Sequence, residues 1–343
     1  MGGDYGPVPN LAGAALALAD HPNIQSLLLV GRPDDLRAEM DRIRLSDPRV
    51  EIIPASEVVD MHDSAVSAIR RKKDSSIAVA TDLVRDGRAD AVVSAGHTGA
   101  AVAASTLKLR TLPGIDRAGI LTPFPNDAQG ACYLIDAGAN VDSRPEHLVQ
   151  QALMGWTYVK HVHGKPNPAV GLMSNGEEES KGNEVTKEVF ARLSAMRPLG
   201  LNFIGNVEGR DLLAAPIDVA VCDGFVGNVL LKGCEGTAKA FARALKAEVT
   251  ASPWRKLVAA LLRPAFKGVH ARMSYETYGG SPLLGVNGVT IIAHGSSNAI
   301  AIKNALRVAV EAVTHRVNPH ISESVARFLQ PASAAPPTES THV

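Results

Sequence analysis

The sequence has few aromatic residues, no net charge and no long apolar run. Phe, Trp and Tyr make up 4% of its 343 residues and hydrophobic residues 45%, so a large core would consist mainly of aliphatic side chains. Lys and Arg total 35, and so do Asp and Glu, which leaves no overall field to attract nucleic acid. We therefore expect no nucleic-acid partner.

Cysteine is also scarce. Cys132, Cys222 and Cys234 have neither CxxC spacing nor a neighbouring histidine set, which argues against a zinc site or a disulfide framework. We expect three buried, reduced thiols. No apolar run reaches the roughly 18 residues of a membrane span, and the opening MGGDYGP lacks the apolar region of a secretory signal. These features predict a cytoplasmic protein.

Short aliphatic runs alternate with segments of helical period. This alternation predicts an α/β fold with an open, mostly parallel sheet and helices on both faces. We assign residues 1–330 to one α/β catalytic domain or two closely joined lobes, and the Pro-, Ser- and Thr-rich residues 331–343 to a disordered tail. The predicted strands are 26–30, 50–54, 90–95, 118–122, 132–137, 169–174, 201–205, 217–222 and 289–294. The predicted helices are 9–20, 34–45, 76–86, 146–163, 181–196, 228–246 and 298–315.

Six predicted strands run into Gly together with Asn, Asp, Ser or Thr. Because the carboxyl ends of parallel strands line the ligand crevice of an open sheet, we expect these six ends to lie along one edge. The alternative is that Gly and Asn serve only as turn residues. The ends are SAGHTGA (94–100), DAGAN (136–140), MSNGEEESKGNE (173–184), GNVEGRD (205–211), CDGFVGN (222–228) and AHGSSN (293–298).

SAGHTGA has the composition of an anion site. Gly96 and Gly99 allow the backbone to approach a ligand closely, and the helix that follows presents free N–H groups with partial positive charge. Ser94, His97 and Thr98 add side-chain donors. Neither GxxxxGK[ST] nor a strand-linked GxGxxG is present, so the anion need not belong to a nucleotide.

Two other strand ends carry charged residues. Lys181 follows three consecutive glutamates and could neutralise charge on phosphate or on a reacting oxygen, or it could belong to a solvated first helical turn. Asp223 and Asn228 flank Gly224 and Gly227 and could position a ligand. Asp223 could instead only cap the next helix.

Two segments suggest surface contacts. The basic run Arg70, Arg71, Lys72 and Lys73 would suit an acidic partner, or it forms a solvated face. Residues 252–268 combine apolar residues at helical spacing with Arg and Lys, which is typical of an interfacial membrane helix ended by Pro264. The alternative is a helix that packs on a dimer partner. The predicted membrane contacts are Trp254, Leu257, Leu261, Leu262 and Phe266.

Eight motifs follow one another over nearly the whole chain: MGGDYGP, SAGHTGA, DAGANVD, GLMSNGEEESKGN, FIGNVEGRD, VCDGFVGNVLLK, GGSPLLGVNG and AHGSSN. In this order they closely resemble the bacterial phosphate acyltransferase family of phospholipid synthesis. The resemblance implies transfer of a fatty acyl group from acyl carrier protein to inorganic phosphate, which gives an acyl phosphate for a glycerol-phosphate acyltransferase. It also implies a homodimer with a fold similar to the isocitrate and isopropylmalate dehydrogenases and to phosphotransacetylase.

The resemblance also implies roles for single residues. It assigns phosphate binding to the SAGHTGA loop, where the family commonly has Asn in place of His97. The basic run 70–73 would dock the acidic carrier protein, and 252–268 would contact the inner face of the cell membrane reversibly. The catalytic candidates are Lys181, Asn175, Asp223 and Asn228, and the candidates for positioning the thioester or acyl group are Asn140, Asn183, Asn206 and His294.

Other functions fit the sequence less well. A decarboxylating dehydrogenase would need a nicotinamide site and a metal with clustered Asp ligands, and the sequence indicates neither, so we expect no cofactor and no metal. A phosphotransacetylase would use coenzyme A and a short acyl group. A non-catalytic lipid- or carrier-binding module would leave six polar strand ends unexplained.

Because family members resemble MGGDYGP only after an apolar strand, we expect the natural start upstream of Met1, with a further strand of about five or six residues.

Overall fold

The structure is a computed structural model that describes residues 2–126, 130–214, 216–273 and 275–329, with side chains outside 270–275. This part of the chain contains ten strands and thirteen α-helices. The strands are β1 (Leu27–Gly31), β2 (Val50–Pro54), β3 (Ala91–Ser94), β4 (Gly119–Pro125), β5 (Ala131–Ile135), β6 (Val170–Met173), β7 (Phe203–Val207), β8 (Val219–Val221), β9 (Ser281–Leu284) and β10 (Val289–Ile292).

The helices alternate with these strands over most of the chain. They are α1 (Val8–Asp20), α2 (Pro33–Ile43), α3 (Ala65–Arg71), α4 (Ser76–Arg85), α5 (Thr98–Lys108), α6 (Pro145–Val162), α7 (Glu184–Ala195), α8 (Gly224–Val249), α9 (Pro253–Leu261), α10 (Arg263–Met273), α11 (Tyr275–Tyr278), α12 (Ala299–Thr314) and α13 (Val317–Leu329). The nine predicted strands and seven predicted helices are confirmed, with ends shifted by a few residues. The predicted tail lies outside the described residues.

The strands form two sheets. An eight-stranded sheet has the order β3-β10-β9-β4-β5-β8-β6-β7, and β1 and β2 form a separate parallel pair. Four of the seven strand pairs in the large sheet are parallel, as is the β1-β2 pair, which confirms a mostly parallel arrangement. The three antiparallel pairs, β10-β9, β9-β4 and β4-β5, are consecutive at the centre of the large sheet.

Three successive reversals give the two halves of the sheet opposite directions. Strands β3 and β10 run one way, and β5, β8, β6 and β7 run the other way. The expectation that all six polar strand ends lie along one edge is therefore wrong. We call the ends of β3 and β10, residues 94–99 and 294–298, the first edge. The ends of β5, β6, β7 and β8, residues 136–140, 174–183, 206–211 and 223–228, form the second edge.

Helix α6 anchors the core of the half that carries the second edge. Its residues His147 to Val159 are all buried, as expected of a helix covered by protein on every side. It packs against β5, β8, α7 and α13, and the rings of Trp156 and Phe328 meet edge to face with centroids 5.8 Å apart. This packing holds β5 and β8, and therefore the loops that follow them, in fixed positions.

Helix α8 begins in close contact with the loop after β5. A Cβ at Gly227 would lie only 1.9 Å from the main-chain oxygen of Asp136 and 3.1 Å from Sγ of Cys222. Farther along the same helix, a Cβ at Gly233 would meet no atom within 4 Å. Glycine at 227 therefore permits the close approach of helix and loop, whereas glycine at 233 does not serve packing within the chain.

Two matched substitutions on α8 test this packing. We expect Gly227→Ala to lower the free energy of unfolding by about 1–3 kcal/mol or more, because the added methyl group must displace backbone. Gly233→Ala should instead raise it by up to about 1 kcal/mol through the higher helix propensity of alanine. Urea unfolding followed by circular dichroism measures both. Equal stability of the two variants would contradict the packing described for the start of α8.

Candidate functional site

Three loops converge at the first edge. Strands β3 and β10 end side by side, with Ser94 level with Ile292, and the N–H of Ala293 donates to the main-chain oxygen of Ser94 at 2.8 Å. The N-terminal turn lies against them, because the N–H of Asp4 donates to Gly295 at 2.9 Å and a Cβ at Gly3 would lie 2.5 Å from the oxygen of Ala95. None of the predicted site residues lies in this turn, although the three glycines of MGGDYGP were the available signal.

The start of α5 presents donors at this edge. Nδ1 of His97 accepts a hydrogen bond from the N–H of Ala100 at 3.2 Å, so in the neutral ring Nε2 carries the proton and can donate. A Cβ at Gly99 would lie 3.0 Å from Cε1 of His97, so glycine leaves room for the ring. Thr98 is exposed, and the first turn of α5 has no acidic residue. An anion would therefore find N–H, O–H and ring donors here.

His294 lies at the first edge, apart from the three other residues predicted to position the acyl group. Its Nδ1 accepts from the N–H of Ser296 at 3.2 Å and lies 2.7 Å from the Ser296 Oγ. Asn140, Asn183 and Asn206 all belong to the second edge. Within one chain, therefore, these four residues do not form one cluster, because β10 runs opposite to β5, β6 and β7.

A buried carboxylate organises the loop after β5. Asp136 is fully buried, and its Oδ1 accepts from the N–H groups of Ile120, Gly138 and Ala139 at 2.8–3.0 Å. Its Oδ2 accepts from both the N–H and Nδ2 of Asn140 at 2.8 Å. Burial raises the pKa of the Asp136 carboxyl, and the donated hydrogen bonds oppose that rise. Asp136 was not among the predicted site residues, although it is the first residue of DAGAN.

The start of α8 docks on that loop. The N–H of Gly224 donates to the oxygen of Asn140 at 2.7 Å, and a Cβ at Gly138 would lie 3.4 Å from the Cβ of Asn228. Oδ1 of Asp223 accepts from the N–H groups of Phe225 and Val226 at 3.0 and 3.1 Å. Asp223 is thus the N-cap of α8, which is the alternative role that its position suggested. Asn140 and Asn228 are brought together beside it.

The loop between β6 and α7 is held by its own asparagines. Oδ1 of Asn175 accepts from the N–H of Gly182 at 2.9 Å, and Nδ2 of the buried Asn206 donates to the oxygen of Glu178 at 2.8 Å. Asn183 caps α7 by accepting from the N–H of Thr186 at 2.9 Å. These three side chains shape the loop, which presents Lys181 to solvent together with the exposed Glu177, Glu178 and Glu179.

Lys181 folds back over a glycine. A Cβ at Gly176 would lie 2.8 Å from Cγ of Lys181, so any larger residue there would displace the lysine side chain. The other cation of this edge, Arg210, forms ion pairs with Glu208 at 2.7 Å and Glu177 at 3.5 Å. Lys181 forms no ion pair with the residues that the structure describes. An incoming anion could therefore bind Lys181 without first breaking such a pair.

The basic run at the end of α3 lies on the side of the first edge. A Cβ at Gly99 would lie 3.3 Å from the Cβ of Ala65, so α3 begins beside the SAGHTGA loop. Arg70, Arg71 and Lys73 are exposed. Nζ of Lys72 instead donates to Asp63 at 2.6 Å and to the oxygen of Val58 at 2.9 Å, and its hydrogen bond lowers the pKa of Asp63. Lys72 therefore has a structural partner within the chain.

Residues 237–269, which we call the arm, comprise the second half of α8, all of α9 and most of α10. Nearly every residue of the arm is exposed, and α9 ends just before Pro264. The predicted membrane-contact residues are all exposed, at 72% for Trp254, 57% for Leu257, 77% for Leu261, 50% for Leu262 and 37% for Phe266. In the part of the chain that the structure describes, no helix has the length and apolar character needed to cross a bilayer.

Two of the three cysteines are buried thiols, as predicted. Burial raises the pKa of Cys132 to about 12, and it raises the pKa of Cys222 well above the usual range with the help of Asp223 and Asp136. Cys234 is only half-buried, because it lies on α8 where the helix leaves the body of the protein. A thiol with a raised pKa carries little nucleophilic thiolate near neutral pH.

Asn206, near the end of β7, and Asn202, just before its start, provide a matched test of the loop that carries Lys181. Asn206 donates to Glu178 in the loop, and Asn202 donates to Asn167 at 3.2 Å near the other end of the strand. We expect Asn206→Asp to place a carboxylate against a carbonyl oxygen at a cost of about 1–3 kcal/mol, which corresponds to roughly fivefold or greater acceleration of local amide exchange. Hydrogen exchange by mass spectrometry should show this acceleration in 174–183 for Asn206→Asp and not for Asn202→Asp. Unchanged exchange in both variants would contradict the role of Asn206.

Comparisons with known proteins identify the family. The model of the family described as "Fatty acid synthesis protein" matches residues 1–320. The phosphate acyltransferase of Akkermansia muciniphila is 54% identical over 331 residues, which cover 96% of this chain and 95% of that protein. The phosphate acyltransferase of Pelotomaculum thermopropionicum is 50% identical over 325 residues, which cover 95% and 93%.

Solved structures show the same fold at low sequence identity. A phosphotransacetylase from Streptococcus pyogenes superposes with a TM-score of 0.58 at 16% identity, covering 89% of this chain and 91% of that one. The EutD phosphotransacetylase from Staphylococcus aureus gives a TM-score of 0.54 at 14% identity and covers 89% and 90%. The family model and the sequence matches over nearly the full length show that the chain belongs to the fatty acid synthesis protein family, a family of acyltransferases.

Proposed function

We propose that this protein transfers a fatty acyl group from acyl carrier protein to inorganic phosphate and releases an acyl phosphate and free carrier protein. The observation that carries the proposal is the 54% identity to a phosphate acyltransferase over 96% of the chain. A phosphate oxygen attacks the thioester carbonyl carbon, a carbon–oxygen bond forms, and the carbon–sulfur bond breaks. The carrier leaves as a thiolate and takes up a proton from solvent.

The types of residue at the two edges suit this chemistry. Phosphate is already a nucleophile at neutral pH, so the enzyme has to hold it in place and stabilise the oxyanion that forms at the carbonyl. The N–H groups of Thr98 and Gly99 and Nε2 of His97 are donors for phosphate at the first edge. Lys181 supplies the positive charge, and Asn228 is an amide donor at the same edge. The Asn140 amide instead donates to the oxygen of Ala118 and to Asp136, so Asn140 holds the loop in shape. Asp223, as a helix cap, positions Asn228 rather than the substrate.

The carrier protein would dock at the basic end of α3. Arg70, Arg71 and Lys73 are exposed there. Helix α3 starts beside Gly99 at Ala65 and ends at Arg71, so at 1.5 Å per residue its basic end lies roughly 9 Å along the helix axis from the SAGHTGA loop. Opposite charge would steer an acidic carrier to this site. A carrier bound there would bring its thioester towards the first edge.

We further propose a homodimer that associates reversibly with the inner face of the cell membrane. The arm carries exposed apolar side chains together with Lys256, Arg263 and Lys267, a combination that suits an anionic bilayer surface. Contact with the membrane would deliver the acyl phosphate to a glycerol-phosphate acyltransferase. The competing role for the arm is to pack on the dimer partner.

An assay with palmitoyl acyl carrier protein tests the reaction. We expect phosphate-dependent release of carrier thiol, with the acyl phosphate trapped by hydroxylamine as the hydroxamate. Lys181→Ala should lower kcat by about 10²- to 10³-fold if the lysine stabilises developing charge. Lys187→Ala, on the exposed side of α7, is the matched control and should be unaffected. Activity with acetyl coenzyme A alone would instead indicate a phosphotransacetylase.

A leucine pair tests membrane contact. Burial of a leucine side chain in the bilayer interface contributes about 1.5–3 kcal/mol, so Leu261→Glu should weaken binding to phosphatidylglycerol vesicles by roughly tenfold or more. Leu199→Glu, at an exposed leucine outside the arm, is the control and should bind normally. Flotation of protein with vesicles gives the bound fraction. If Leu261→Glu binds like the unmodified protein but runs as a monomer on a sizing column, the arm serves the dimer.

A further inference from the structure

Two histidines stack face to face where α13 packs on α6. The ring of His161, near the end of α6, lies almost parallel to the ring of His320 on α13, with centroids 3.8 Å apart and an angle of 8° between the planes. Nδ1 of His320 also lies 3.2 Å from Oε2 of Glu323, one turn farther along α13. The stack therefore places a titratable group of one helix directly against a titratable group of the other.

The histidine stack lies at one end of the contact between these two helices, which run antiparallel. At the other end of the contact, Trp156 of α6 meets Phe328 of α13. Between the two ends, α13 places the buried side chains of Ile321 and Val325 in the core. Because this apolar burial supplies most of the free energy of the contact, a change of charge in the stack would weaken the packing of α13 without unfolding the protein.

Mostly cationic groups surround His161. The charged and titratable groups that act on it are Lys160 of α6, His315 at the end of α12, and His320 and Glu323 of α13. Burial lowers the pKa of His161 below its usual value, the cationic neighbours lower it further, and Glu323 opposes them. His161 therefore resists protonation while α13 is packed, and a proton on His320 increases that resistance.

The sign of the pH dependence follows from this lowered pKa. When α13 opens, His161 meets water and takes up a proton at its ordinary pKa of about 6.5. In the packed state it takes up a proton only at lower pH. Below about pH 6.5 the open state therefore binds more protons than the packed state, and the packing of α13 weakens as pH falls through that value.

We infer that the stacked pair His161–His320 makes the packing of α13 on α6 sensitive to acid. Near neutral pH the rings are uncharged and the stack adds to the contact. On acidification, protonation of both rings would place like charges on groups whose centroids lie 3.8 Å apart, so α13 opens more often. Helix α6 packs on β5 and β8, so the device acts on the cover of the helix that positions the second edge.

Hydrogen exchange of the full chain, followed by mass spectrometry, tests the inference. After correction for the pH dependence of intrinsic amide exchange, we expect residues 317–329 to open about three- to tenfold more often at pH 5.5 than at pH 7.5. His161→Phe keeps a ring in the stack but cannot take up a proton, so this increase should disappear. His62→Gln, at an exposed histidine before α3, is the matched control and should show the full increase.

Two further variants complete the test. His161→Lys carries a permanent charge, so at pH 7.5 it should already open about threefold more often than the unmodified protein, or more. His320→Phe removes the other titratable ring and should reduce the pH dependence, which keeps the inference testable if His161→Phe does not fold. Equal opening of the unmodified protein at both pH values overturns the inference. A full increase that persists in the phenylalanine variants also overturns it, because other groups would then cause the effect.

Discussion

The three consecutive antiparallel pairs at the centre of the large sheet determine where every polar loop lies. Because β10, β9, β4 and β5 reverse direction in turn, the strands on either side of them end at opposite edges. The chain therefore carries a donor-rich edge without Lys or Arg and an acidic edge with a single available lysine. Each edge is rigid, since short hydrogen bonds hold it in place. At the first edge they join main-chain groups, and at the second they join main-chain groups to the side chains of Asp136, Asn175 and Asn206.

The second edge shows how this rigidity arises. Asp136 collects five hydrogen bonds from three residues of its own loop and from Ile120 at the start of β4. The start of α8 then packs on its main-chain oxygen at Gly227, where no side chain fits. One buried carboxylate thus joins β4, β5 and α8 and places Asn140 next to Asn228. Groups that must bind a transition state benefit from such fixed placement, because no reorganisation is needed during the reaction.

Sequence patterns predicted most of the elements but not their directions. Aliphatic runs and helical periods are local signals, so nine strands and seven helices could be assigned from them. Strand β9 is only four residues long and contains Pro282, so it has no clear strand pattern. Without β9, the sequence did not indicate the antiparallel pairs that place His294 and Asn140 at opposite edges. Capping roles are also partly local: Asp223 before a helix was a plausible cap, whereas the partners of Asp136 depend on tertiary contacts that no local pattern encodes.

The central claim is that an oxygen of inorganic phosphate attacks the acyl thioester directly. Mass spectrometry of the acyl phosphate formed from phosphate labelled with ¹⁸O at all four oxygens tests it. Direct attack predicts that all four labelled oxygens remain in the product, because the bridging oxygen comes from phosphate. Loss of one label would show that the bridging oxygen came from a carboxylate instead, and that result would contradict the account.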